Sequence, residues 1–199
     1  MGATICWFVN TMEKEAQETA RGLRHGDPDL LDRLIQQYHY RLFRYLLMLT
    51  GNREAAEDLF QETWIRVLER GHQYNGKWRF EAWLFTIARN LAIDLLRRRQ
   101  PQSLDALLDI HRNAIPLGLE APGSPTPFDM ASQSEDGEHL GAALGHLPPA
   151  YREVLLLRFQ EDLELNEIAA VVGSPLPTVK SRLYRGLETL RELLEGGQA

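Results

Sequence analysis

Residues 164–194 read ELNEIAAVVGSPLPTVKSRLYRGLETLRELL. Two helices and a tight turn account for that order of residues. Ile168, Ala169 and Val172 give the first helix a short apolar face. Gly173 follows, where a residue free to take the left-handed conformation lets the chain turn sharply. Pro177 stands where a second helix begins, and its fixed φ suits a first helical turn. Val179, Leu183, Leu187, Leu190 and Leu194 then recur at helical spacing and form one stripe. Lys180, Ser181, Tyr184, Arg185 and Arg191 lie off it. A small helix, a glycine turn and a second helix with a basic polar face make the pattern of a DNA-reading helix-turn-helix. Ala169, Gly173 and Val179 fall at the close-packing positions such a motif needs. The competing reading is an ordinary helical hairpin with solvated arginines.

With 199 residues the chain has room for one large domain or two small ones. A net charge of −6 argues against a wholesale basic nucleic-acid binder, so the distribution of charge decides. Residues 77–99 carry six Lys/Arg against two acids, and residues 176–194 carry four against two. Residues 100–136 carry one Arg against six acids. Basic patches on an acidic chain fit focused phosphate binding. Cys6 is the only cysteine, which excludes an internal disulfide and a thiolate-built zinc site and suits a reducing cytoplasm. No apolar run approaches a membrane span, so no membrane insertion is expected. The apolar run Ile5–Val9 is too short for a signal-peptide core. Met12, followed by EKEAQE, is a candidate alternative start codon to Met1.

Residues 12–25 read as a short helix or a mobile lead-in. Asp27-Pro28 is a helix start, an N-cap acid followed by a first-turn proline. That helix runs to about Thr50 with Leu31, Leu34, Tyr38, Leu42, Tyr45 and Leu49 on one face, and Gly51 ends it. Asn52 caps the next, NREAAEDLFQETWIRVLERG, which closes at Gly71. Its apolar face is Ala56, Leu59, Thr63 and Val67, widened by Phe60 and Trp64; Glu54, Glu57, Asp58, Gln61 and Glu62 lie opposite. A polar loop from His72 to Arg79 precedes FEAWLFTIARNLAIDLLRRR, stopped by Pro101. Phe80, Leu84, Ile87, Leu91 and Leu95 form the core stripe of this third long helix, with Arg89, Asn90, Asp94 and Arg97–Arg99 off it. The three helices make a small bundle. Between 100 and 136 five prolines and a Gly/Ser/Thr content mark a flexible linker, with one transient helical turn at LDALLDI, 104–110. A second helical domain begins near Glu138, with a helix started by Pro148-Pro149 that carries Tyr151, Val154, Leu155 and Arg158 ahead of the helix-turn-helix. The expected fold is all-α: a partly disordered lead-in at 1–26, a helical domain at 27–100, an acidic Pro-rich linker at 101–137 and a second helical domain at 138–195.

GNREAAEDLFQETWIRV, FEAWLFTIARNLAIDLLRRR and LPPAYREVLLLRFQEDLELNEIAAVVGSPLPTVKSRLYRGLETLRELL, in that order, resemble the extracytoplasmic-function (ECF) sigma factors of bacterial RNA polymerase, two-domain members of the sigma-70 superfamily. The resemblance covers residues 27–194 apart from the linker. It implies a dissociable cytoplasmic specificity subunit whose partners are the polymerase core and promoter DNA, with an anti-sigma factor as a common inhibitor in the family. It implies that the first domain reads the minus-ten element and holds the melted strand, and that the second reads the minus-thirty-five element as duplex. Asp58, Gln61 and Glu62 match the polymerase-clamp face. Tyr74, Asn75, Lys77, Trp78 and Arg79 match the loop that captures an unstacked base. Arg89, Asn90, Asp94, Arg97 and Arg98 match the minus-ten-facing helix. Thr178, Lys180, Ser181, Tyr184 and Arg185 match the major-groove face of the recognition helix.

The residue chemistry suits these roles. An acidic helix face orients against a basic partner, although such faces are also often merely solvated. A captured base needs hydrogen-bonding groups and stacking surfaces, and the Tyr74/Asn75/Trp78 loop holds both types; the alternative has Trp78 tucked into the bundle. Lys180 and Arg185 are open to either base-edge or phosphate contacts. Two promoter elements about two helical turns apart lie ~70 Å from one another. The linker extends to at most ~120 Å and relaxes to ~30–35 Å, so the free chain is expected to be compact and to hide both DNA faces.

Three departures from the family pattern stand out, one of them the fairly long, acidic linker. Glu164 replaces the Ser or Thr common at the first cap of the helix-turn-helix, which predicts a looser helix start. Pro177 replaces a small residue and stiffens the start of the recognition helix.

The rival readings are a helix-turn-helix regulator acting without polymerase, and an enzyme. Glu57, Asp58 and Glu62 have no histidine at i+3 or i+4, the six histidines are scattered, and no phosphate-cradling loop or nucleophile–base pair appears. No catalytic residue, metal or cofactor is therefore expected.

Overall fold

The computed structural model describes residues 2–99 and 135–196, with side chains over 14–98 and 139–196. The helices are α1 (Gly2–His25), α2 (Pro28–Thr50), α3 (Arg53–Arg70), a 3-10 turn (Gly71–Gln73), α4 (Phe80–Arg99), α5 (Glu135–His146), α6 (Pro149–Phe159), α7 (Leu165–Val172) and α8 (Leu176–Gly196). No strand occurs among the described residues. The linker, including its 104–110 segment, lies outside them. The second half begins three residues before the expected Glu138, at Glu135.

The helix boundaries follow from capping chemistry. The Asp27 carboxylate accepts from the backbone N–H groups of Asp29 (3.0 Å) and Leu30 (3.2 Å), which would otherwise lack intrahelical partners. Asn52 Oδ1 accepts from Ala55 N–H at 2.8 Å at the start of α3. At the start of α7 the expectation of a loose cap is corrected. Glu167 Oε2 accepts the Glu164 N–H at 2.9 Å, half of a capping box that compensates for the missing Ser or Thr. Gly173 ends α7 at φ +62, the left-handed conformation read from the sequence.

α1 is a single helix over residues that read as a partly disordered lead-in. Ala16 and Ala20 are buried, and the loop before α4 leans on this segment. A Cβ on Gly76, at φ +70, would sit 3.0 Å from the Ala16 carbonyl oxygen. Glycine is required there both by the backbone angle and by the close approach.

The α2–α3–α4 bundle buries the expected stripes of α2 and α3, with Leu31 and Phe60 only half-buried. On α4 the expected stripe is corrected. Phe80 and Leu84 are buried, but Ile87, Leu91 and Leu95 are only partly so, whereas Phe85, Ala88, Ala92 and Leu96 are buried. The reason is a partner the periodicity could not reveal: α4 packs against α7 of the second half as well as against α2 and α3. Buried residues of both halves therefore join in one contiguous apolar cluster. On α8 Val179 and Leu183 are buried, but Leu187 is 38% exposed. Gly186 takes the buried position instead, and a side chain there would press on Tyr151 and Leu155 at 3.2 Å. Leu187 borders an open apolar cavity of about 230 Å³ with Leu140, Leu144, Leu156, Phe159 and Leu190.

Candidate nucleic-acid interface

Three surfaces carry the residues singled out in the sequence. The first is the outer face of α3. Asp58 and Gln61 are exposed there. Glu62 is half-exposed and bridges to Arg66 at 2.8 Å, and Arg66 is also held by Glu69 at 2.7 Å. The sequence reading missed two neighbours on this face. Ile65 and Leu68 are about half exposed, and they continue the 58–61 row at helical steps. Two large apolar side chains in water beside a polar row are what a partner surface looks like before it is covered. The signal was present in sequence: neither residue falls on the apolar face of α3.

The second surface is the 71–79 loop with α4. The structure corrects the loop's expected chemistry. Tyr74 is buried, its ring packed on Phe80 and Trp83 at 5.7 and 5.2 Å between centroids. Its hydroxyl donates to the Trp78 carbonyl at 2.7 Å. Burial first, then the Glu81 and Glu167 carboxylates, push its phenol well above the ordinary range. Tyr74 is the anchor of the loop rather than a free stacking surface. Trp78, in contrast, is 45% exposed and not tucked into the bundle. Asn75 and Lys77 are exposed, with Asn75 Oδ1 accepting the Lys77 N–H at 3.0 Å in a tight turn. On α4, Asn90, Asp94, Arg97 and Arg98 are exposed.

Arg79 and Arg89 are engaged. The Arg79 guanidinium donates to the Asp162 carbonyl at 2.7 Å and to Glu81 at 3.1 Å. Arg89 Nε donates to Glu153 Oε1 at 2.8 Å, and Tyr45 OH donates to the same oxygen at 2.8 Å. Burial disfavours the charged form of Arg89, but Glu153 outweighs it and holds the pKa above its usual value. Beside this pair Arg41 bridges to Glu161 at 2.7 Å. Burial raises the Glu161 pKa, with Arg41 opposing the shift. Glu153, Glu161 and Asp162 belong to the second half of the chain, Glu153 within α6 and the other two in the turn after it.

The third surface is the outer face of α8. Lys180, Ser181, Tyr184 and Arg185 are exposed, Tyr184 to 68%, and Thr178 is half-buried. Arg182, between them, donates to the Ser174 hydroxyl at 3.2 Å and ties α8 to the turn. Against the expectation of two hidden faces, the α8 face is exposed, and on the loop–α4 surface only Arg79 and Arg89 are engaged by the second half. Among the described residues no helix is long and apolar enough to cross a membrane.

Comparison with known proteins agrees with this layout. Residues 34–102 match the family described as Sigma-70 region 2, and residues 138–190 match Sigma-70, region 4. The chain is 38% identical over 163 residues to the ECF RNA polymerase sigma factor SigE of Mycolicibacterium smegmatis, covering 82% of this chain and 61% of that one. It is 31% identical over 170 residues to SigM of Bacillus subtilis, covering 84% of this chain and 96% of that one. The fold is similar to that of CnrH in its complex with the cytosolic domain of CnrY, with a TM-score of 0.60 at 21% identity, over 90% of this chain and 97% of that one. Two regions matched in the expected order, on two helical bodies, with relatives of this identity and coverage, place this chain in a single family: it belongs to the ECF sigma factors of bacterial RNA polymerase.

Proposed function

We propose a division of labour among the three surfaces for the promoter-specific initiation that this family performs. The α3 row Asp58, Gln61 and Glu62, with Ile65 and Leu68, docks on the polymerase core. Its charged members orient the encounter and its two apolar members supply desolvated area. The Trp78–Asn75–Lys77 loop and the Arg79, Arg89, Asn90, Asp94, Arg97 and Arg98 surface hold the melted minus-ten strand. Trp78 offers a stacking plane and the arginines offer phosphate contacts. The Thr178, Lys180, Ser181, Tyr184 and Arg185 face reads the minus-thirty-five duplex in the major groove. The protein acts in the cytoplasm and carries no catalytic centre or cofactor of its own, since polymerase performs the chemistry. An anti-sigma protein is the inhibitory partner this reading expects, as the anti-sigma factor NepR is found with the sigma factor RpoE of Bartonella quintana.

The observation that carries this reading is the exposure of a mixed polar and apolar row on α3. A helix-turn-helix regulator acting alone has no use for it. The test is reciprocal. Asp58→Arg is expected to abolish binding to core polymerase and to leave minus-thirty-five duplex binding intact. Arg185→Ala is expected to do the reverse. Equal loss of core binding by both variants would sink the division of labour.

A further inference from the structure

The 71–79 loop carries two glycines, and both face α1. Gly71 is buried, and a Cβ there would lie 3.2 Å from Leu23 Cβ and 3.3 Å from the Leu23 carbonyl oxygen. Gly76 lies at φ +70, and a Cβ there would meet the Ala16 carbonyl oxygen at 3.0 Å and Gln17 Cα at 3.3 Å. Positions 16 and 23 fall on one helical face, two turns and about 10 Å apart. Ala20 stands between them, 3% exposed and part of the apolar core. Gly22, close by, leaves room for Leu30 and lets α1 settle on α2.

α1 thus meets the loop backbone at both ends of the 71–76 segment. Between those ends Tyr74 is fixed to α4 through Phe80 and Trp83, and its hydroxyl holds the Trp78 carbonyl. The side chains left outside are Asn75, Lys77 and Trp78, all exposed. A binding site on a loop lacks the rigidity that a helix supplies, so its aim depends on what the loop backbone rests on.

We infer, given the strand-capture role of this loop, that α1 is its positioning element: the Ala16–Ala20–Leu23 face sets the height of Gly71 and Gly76, and thereby the aim of Asn75 and Trp78 at the captured base. These three residues act through the loop and not on the strand. Phosphate contacts from Arg97 and Arg98 of α4 do not pass through α1. Base-dependent and phosphate-dependent binding therefore separate when the seat is disturbed. A helix that merely stabilised the domain would weaken both alike.

The test uses the full-length chain without polymerase. One probe is a fluorescein-labelled 12-nucleotide single strand of random sequence, since stacking on an aromatic ring tolerates any base. The other is an abasic strand of the same length, which keeps the phosphates. Ala20→Leu overpacks the seat from the α1 side. Gly71→Ala disturbs it from the loop side, at φ −55, an angle that alanine adopts freely, so the only conflict is with Leu23. Anisotropy at low salt reads binding, and circular dichroism checks helicity. The wild type should bind the random strand roughly tenfold more tightly than the abasic one, the share of one stacked base. Both variants should lower that ratio by roughly threefold or more, with affinity for the abasic strand and for core polymerase unchanged.

A ratio that does not fall, or two strands weakened alike, overturns the positioning role and leaves the capture role of the loop intact. A wild type that binds both strands equally overturns the capture role and the positioning role with it. Should Ala20→Leu lose helicity, Gly71→Ala decides by the same readings.

Discussion

The two surfaces proposed to meet DNA differ in how the domain contact treats their arginines. On α8, Lys180, Ser181, Tyr184 and Arg185 are exposed above a buried Val179 and Leu183. On the first domain, Arg79 and Arg89 are bonded to the second. The residue type is the same and the availability is not. What differs is which side of each element faces the domain contact. α7 packs on α4, so the turn and helix behind the recognition face meet the first domain and the reading face points away. The domain contact thus leaves the α8 face open and engages two arginines, Arg79 and Arg89, of a first-domain surface that is otherwise exposed.

The largest expected effect tests whether the two halves are one folding unit. Leu157 on α6 is fully buried and shares its apolar cluster with Leu42, Leu46 and Leu84 of the first domain. Leu157→Ala should cost ~2–5 kcal/mol. All four tryptophans, Trp7, Trp64, Trp78 and Trp83, lie in the first half, so tryptophan fluorescence reports that half alone. In denaturant the fluorescence and circular-dichroism transitions should shift together. A shift in circular dichroism without one in fluorescence would mean that the halves unfold separately and that the contact between them is weak.

The next effect compares the two surfaces directly. Trp78→Ala should weaken capture of a minus-ten single strand by ~1–3 kcal/mol per lost stacking contact. Duplex binding through α8 should not change, and neither should stability, because the side chain is 45% exposed. The measurement is open-complex formation with core polymerase beside duplex binding by the sigma factor alone. Loss in both would show that Trp78 supports the fold instead.

How legible each surface was depends on the range of the interactions that build it. Caps and turns are local, and Asp27, Asn52 and Gly173 each do what their neighbours in sequence predict. The faces of α3 and α8 were legible because one helix, read at its own period, separates an apolar from a polar side. Tyr74 was misread because a phenol in a polar loop is equally consistent with stacking on a base and with anchoring on Phe80 and Trp83. Leu187 was placed in the core because periodicity cannot see that Gly186 brings Tyr151 and Leu155 onto its own position. The Arg89–Glu153 and Arg41–Glu161 pairs were not legible at all. Nothing in either local pattern points to an acid 64 or 120 residues away.

The smallest effect concerns the turn behind the open surface. Gly173 lies at φ +62, and a Cβ there would meet nothing within 4 Å. Gly173→Ala therefore costs only backbone strain, about 1 kcal/mol, or roughly 2–4 °C in Tm for a chain of this size. Gly173→Asn should cost less, since asparagine visits the left-handed region more readily. Because α7 also faces α4, the two DNA surfaces make different demands on this turn. Relaxing its angle re-aims α8 relative to α7 and should weaken duplex binding, while the Arg89–Glu153 contact, carried by α6, should persist. Thermal melts and duplex anisotropy on the two variants separate the cases. If alanine lowers neither Tm nor duplex affinity, the angle at Gly173 does not set the aim of the recognition helix.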